Sequence, residues 1–146
     1  MILRKEIVVD APLAEVWNAW TTGEGLRFTS DESNVELRIG GPYEWFLNLP
    51  PDENRLRGGE GARILAFLPE EMLAFSWTFP PATPGLRAQR ATTQVVVLLD
   101  ESEDGVRVRL AQHGWQDGEE WQRGYEYFDD AWGRVLENLR RRFASD

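Results

Sequence analysis

Two rhythms of apolar residues divide the chain. Within the opening residues, "EIVV" is rich in β-branched residues and predicts a strand over 2–9. The spacing then lengthens. Leu13, Val16, Trp17 and Trp20 fall on one face of a helix. Asp10 is its candidate N-cap and Pro12 its first-turn proline. Gly23 and Gly25 break it, with room for a short second helix over 23–28.

A strand rhythm follows. Val35, Leu37 and Ile39 alternate with polar residues, Gly40-Gly41 reads as a two-residue hairpin turn, and Tyr43, Trp45 and Leu47 share the face of the returning strand. Pro42 opens that strand, where a missing N–H is tolerated. "ARILAFL" and "MLAFSW" predict two more strands, with Leu65 and Phe67 on one face of the first and Leu73, Phe75 and Trp77 on one face of the second. Residues 50–58 and the Pro-rich stretch 79–90 read as loops long enough to serve as a rim or lid. A last hairpin joins 91–99 to 105–113 through "DESEDG". In its second strand Val106, Val108, Leu110 and Gln112 share a face opposite Arg107 and Arg109.

The chain closes in helical rhythm. Trp121, Tyr125, Phe128, Trp132, Val135, Leu136, Leu139 and Phe143 form one stripe at steps of three and four. Asp117 and Glu120 resemble a capping box, and Arg140, Arg141 and Arg142 suit the negative end of the helix. A helix over 118–143 would be about 39 Å long. Gly124 and Gly133 each weaken it by roughly 1 kcal/mol against Ala.

Composition narrows the function. The 146 residues fit one domain spanning 1–146, large enough to hold a core without staples. A net charge of −9 argues against nucleic acid and against an anionic membrane surface. With no Cys and one His, thiol chemistry and the usual zinc sites are excluded, and no loop has calcium-ligand spacing, so no metal or cofactor is expected. No signal-peptide core and no apolar run of ~20 residues is present, which points to a soluble protein of a reducing cytoplasm. Seven Trp is a rich supply and suggests a large core or a wide apolar cavity.

Six to seven antiparallel strands need a cover for their apolar face, and the long C-terminal helix is the obvious one. The fold class is therefore α+β, a curved sheet wrapped around that helix, with a cavity expected between the two surfaces. The aromatic residues Tyr43, Trp45, Phe75, Trp77, Tyr125, Phe128 and Trp132 either fill the core or line a pocket for an apolar ligand. Arg63 and Gln112 sit at the parity of the apolar face, where a polar group needs a partner from the chain or from a ligand. Leu65 joins the lining by the same parity, and Asp129 lies at the edge of the helical stripe beside Tyr125 and Trp132. The adjacent pairs Glu70-Glu71, Glu119-Glu120 and Asp129-Asp130 read as solvated, because helix neighbours in space are three or four apart. His113 falls on the strand face opposite Gln112 and has no orienting partner in the sequence. No acid, base or nucleophile stands out, so no catalytic residue is assigned.

Five segments in order resemble one known family: "DAPLAEVWNAWTTGEGL", "RIGGPYEW", "LPEEMLAFSW", "GVRVRLAQHGW" and "AWGRVLENL". The chain resembles the START-like, or SRPBCC, superfamily with its helix-grip (Bet v 1-like) fold. Within it the chain is similar to the AHSA-type branch, named for the activator of the Hsp90 ATPase. Ala131 stands where that branch usually has Gly before the Trp, and Gln112 where it often has His. The resemblance implies a ligand cavity and allows a homodimer. It leaves three roles open: a binder of a small hydrophobic molecule, a co-chaperone-like interaction protein, and an enzyme that would use Gln112, Arg63, Tyr125 or Asp129.

Overall fold

The computed structural model describes residues 1–47, 51 and 56–144. Its elements are β1 (Leu3–Val9), α1 (Leu13–Thr21), a 3₁₀ turn (Gly25–Phe28), β2 (Glu32–Val35), β3 (Tyr43–Phe46), β4 (Ile64–Leu68), β5 (Met72–Trp77), α2 (Pro84–Ala88), β6 (Thr93–Ser102), β7 (Gly105–His113) and α3 (Glu119–Arg142). Five strands form an antiparallel sheet in the order β1-β7-β6-β5-β4, and β2 pairs with β3. The two pieces meet at β4. Pro42 bridges to Arg63, and the Tyr43 N–H donates to the Ala62 carbonyl at 2.9 Å. The wall is thus continuous from β1 to β3, a curved antiparallel sheet around a long C-terminal helix.

Alternation puts one set of side chains inside. Leu73, Phe75 and Trp77 of β5, Val95, Val97 and Leu99 of β6, and Val106, Val108 and Leu110 of β7 are all buried. They face the α3 stripe of Phe128, Trp132, Leu136 and Leu139. A half-exposed ion pair, Lys5 Nζ to Asp129 Oδ1 at 2.9 Å, ties the β1 edge to α3.

Five expectations are corrected. The strand expected through Ile39 ends at Val35, so Leu37 and Ile39 lie exposed at 38% and 64%. Gly40-Gly41 is no two-residue hairpin. The Gly40 N–H donates to the Ile64 carbonyl at 2.8 Å, which moves this stretch onto the edge of β4 instead of back along β2. The loop expected at 79–90 contains α2, opened by Pro84 in its first turn. Finally, α3 starts at Glu119 after Gly118, and its first turn has no side-chain cap. Glu120 reaches across instead and accepts a hydrogen bond from the Gly85 N–H at 2.9 Å. Asp10 likewise does not cap α1, whose cap position is Pro12. Of the expected rim at 50–58, residues 50 and 52–55 lie outside the described residues.

Candidate functional site

Strand and helix periods together build an aromatic wall at the centre of the molecule. Tyr43 and Trp45 are two apart on β3, Phe75 and Trp77 two apart on β5, and Phe128 and Trp132 four apart on α3. Each pair points inward, and six of the seven expected aromatics are buried: Tyr43, Trp45, Phe75, Trp77, Phe128 and Trp132. Trp45 is the hub. Its ring centroid lies 4.9 Å from that of Trp77, 5.8 Å from Trp132, 6.0 Å from Tyr43 and 6.2 Å from Trp20. Phe128 extends the wall to Phe79 at 5.9 Å and Trp115 at 6.3 Å. Offset and edge-on ring pairs of this kind contribute about 0.5–1.5 kcal/mol each beyond their buried area.

The polar atoms inside the wall divide into satisfied and unsatisfied. Gln112, fully buried, is held at both ends: its Oε1 accepts from Trp132 Nε1 at 2.8 Å, and its Nε2 donates to Thr93 Oγ1 at 2.7 Å. Its partners come from the chain, the ordinary state of a buried polar group. The Tyr43 hydroxyl donates to the Trp20 carbonyl at 2.6 Å, and burial pushes its pKa upward against a smaller opposing effect of the Trp45 indole. The indole N–H groups of Trp20 and Trp45 are buried without an acceptor in hydrogen-bonding geometry, although the Trp45 N–H has the Tyr43 hydroxyl for a neighbour. A buried donor left unpaired costs about 1–3 kcal/mol. The Trp20 donor, on a ring that touches Trp45, makes the wall a place that can receive an acceptor.

Four expected site residues lie off the wall. The register shifts between Ile64 and Ala66, so Leu65 is the extra residue of a bulge and is 41% exposed. Arg63, one step before Ile64, points outward, and its backbone N–H donates to Ser76 Oγ at 2.9 Å. Strand parity counted from sequence cannot foresee such an inserted residue. Asp129 is 55% exposed in its pair with Lys5. Tyr125 is half-buried with its ring 5.2 Å from Trp115, at the end of the wall and away from Trp45. His113 sits on the face opposite Gln112, as its parity predicts. Conversely, Trp20, Thr93 and Phe79 belong to the site and were not placed there from sequence. Trp20 is recognisable as buried by its helical spacing, but nothing local reveals that α1 presents it to β3.

Among the described residues no group of three or more His, Asp or Glu side chains could hold a metal ion, and no helix is long and apolar enough to cross a membrane.

Comparison with known proteins agrees with this architecture. The structure is similar to that of protein MLL2253 from Mesorhizobium loti, with a TM-score of 0.76 at 16% identity, covering 97% of this chain and 95% of that one. It is similar to the Aha1 dimer from Colwellia psychrerythraea, with a TM-score of 0.73 at 14% identity over 98% and 96% of the two chains. Protein BH1534 from Bacillus halodurans matches with a TM-score of 0.70 at 21% identity over 99% and 97%. At these identities the likeness is one of fold. No curated protein matches the chain. The family model described as "Activator of Hsp90 ATPase homolog 1-like protein" matches residues 10–144, from the end of β1 through α3, and the chain belongs to that family.

Proposed function

We propose that the protein binds a small, largely aromatic molecule carrying a hydrogen-bond acceptor, held between the curved sheet and α3. The observation that carries this reading is the buried indole N–H of Trp20, which has no acceptor, on a ring 6.2 Å from that of Trp45. A ligand carbonyl parting those rings would satisfy a donor the fold leaves unpaired, and its ring would replace aromatic contacts at little cost. Tyr43, Phe75, Trp77, Phe128 and Trp132 supply the remaining surface of the site, with Gln112 fixing the Trp132 indole. Arg63, Leu65, Asp129 and Tyr125 have no direct role in this reading.

Acetophenone and ethylbenzene test it, because they share an aromatic body and differ by one carbonyl acceptor. Calorimetry should show the ketone binding about tenfold tighter, the worth of satisfying one buried donor. A Trp20→Phe/Trp45→Phe variant keeps an aromatic ring at each position, loses both N–H groups and should bind the two compounds alike. Equal affinities in the unmodified protein, or no binding of either, would end this reading.

A second reading follows from the family description: an interaction role at a chaperone ATPase. The net charge of −9 suits a basic partner surface. Addition of the protein should then change the ATPase rate of an Hsp90-type chaperone, and the effect should fade with salt; an unchanged rate counts against it. The Aha1 protein from Colwellia psychrerythraea is a dimer, and a sedimentation measurement of mass decides whether this chain also pairs.

A further inference from the structure

We propose that the pocket between residues 56–61, the end of β5 and α2 is a separate binding site for a small carboxylate on a compact apolar body. Leu56, Glu60, Phe79, Arg87, Arg90 and Ala91 line it, and its volume is about 240 Å³. Sites for drug-sized ligands hold about 300–1,000 Å³, so the occupant is smaller than that. Phe79 is its rigid floor, since that ring is buried and wedged 5.1 Å from Trp121 and 5.9 Å from Phe128.

The charges around this floor are unequal in their commitments. Arg87, with a side chain only 8% exposed, donates through Nη1 to the Phe79 carbonyl at 2.8 Å, and its Nη2 lies 3.9 Å from Glu60 Oε1. The other Glu60 oxygen accepts from the Arg57 N–H at 2.6 Å. Glu60 and Arg87 therefore offset each other and are pinned by backbone. The remaining charge is Arg90, whose side chain has no ion pair or hydrogen bond among the described residues. Its backbone is left-handed, with φ at 55°, the conformation in which helices commonly end, and it turns the chain out of α2. The turn is fixed on both sides, by the Arg90 N–H to the Arg87 carbonyl at 3.1 Å and the Ala91 N–H to the Leu86 carbonyl at 3.0 Å. In a chain of net charge −9, one uncommitted guanidinium beside an apolar floor selects an anion with an apolar body. A carboxylate fits the planar fork of the guanidinium through two parallel hydrogen bonds. Neither Trp20 nor Trp45 lines this pocket, so the site stands or falls apart from the one at the aromatic wall.

The test is an amide NMR titration with benzoate, benzamide and benzylamine as probes. Benzoate should shift the amides of Gly61, Thr78, Ala91 and Thr92. Benzamide, which lacks the charge, should bind about tenfold more weakly, and Arg90→Gln should weaken benzoate by a similar factor. Unchanged amide spectra outside the pocket establish that the variant folds. Four results overturn the proposal: no benzoate shifts up to ~10 mM; shifts confined to Phe128, Trp132 and their neighbours; tighter binding of benzylamine, which would make Glu60 the recognising group; or full benzoate affinity in Arg90→Gln. The Trp20→Phe/Trp45→Phe variant should bind benzoate as the unmodified protein does, which separates this site from the wall.

Discussion

At the scale of single residues, the inner wall is governed by one rule: a polar atom among aromatics needs a partner. Gln112 obeys it twice, through Trp132 Nε1 and Thr93 Oγ1. Gln112→Leu keeps the volume and strands both neighbours, so it should lower stability by about 1–3 kcal/mol in urea unfolding. Adding Trp132→Phe removes the stranded indole N–H, so the double variant should be less destabilised than the sum of the two single changes. Strict additivity would mean that the Gln112–Trp132 bond contributes nothing. The burial of Gln112 was legible from strand parity, because β7 pairs without interruption from Leu110 to its end at His113. The same counting failed for Arg63 and Leu65, where one inserted residue turns the strand over. Period-two reasoning holds only as far as the ladder is unbroken, and a bulge leaves no mark in the side-chain pattern.

At the scale of elements, α3 was the most legible part of the chain. Its stripe buries Phe128, Trp132, Leu136 and Leu139 as the spacing requires, and its observed span of 24 residues falls within the expected one. Less legible was the use of its first turn. Glu120 looks like a local cap and is instead a tether to α2, 35 residues away in sequence. The two glycines of α3 look alike in sequence and differ in surroundings. A Cβ on Gly124 would lie 2.7 Å from the Phe79 ring, which is itself buried and cannot retreat. A Cβ on Gly133 would meet nothing nearer than the flexible tip of Lys5 at 4.0 Å. Gly133→Ala should therefore stabilise by up to about 1 kcal/mol through helix propensity alone. Gly124→Ala gains the same propensity and loses about 1–3 kcal/mol to overpacking, so its net effect should be destabilising. Urea midpoints of the two variants on opposite sides of the unmodified protein would agree with this packing; a shared direction would contradict it. The wedge also sets the position of Phe79, hence the floor of the pocket beneath Arg90. Gly124→Ala should thus weaken benzoate binding, while Gly133→Ala should leave it unchanged.

At the scale of the whole molecule, the wall joins α1, the sheet and α3 through contacts that no single element can make alone, so a charge placed there should be felt as global instability. Tyr43 offers a way to place one. Its side chain is fully buried, its hydroxyl donates to the Trp20 carbonyl, and burial holds its pKa above the ordinary value of 10.0. The folded state therefore keeps the proton at pH values where the unfolded chain has released it. The resulting stability is fully present below about pH 10 and falls as pH rises from there towards the folded-state pKa. The slope attributable to Tyr43 reaches at most about 1.4 kcal/mol per pH unit. Tyr127 is shifted the same way by partial burial, so it adds to the alkaline slope and sets what remains when Tyr43 is removed. Tyr43→Phe should be less stable near neutral pH by about 1 kcal/mol, having lost the hydrogen bond to Trp20. Above about pH 10 its stability should decline less steeply, so the gap between the two proteins should narrow. Thermal midpoints recorded from about pH 8 to about pH 11 decide the matter. Parallel curves would mean that Tyr43 ionises in the folded protein without disturbing it, and that the wall is not the closed, cooperative surface its ring contacts describe.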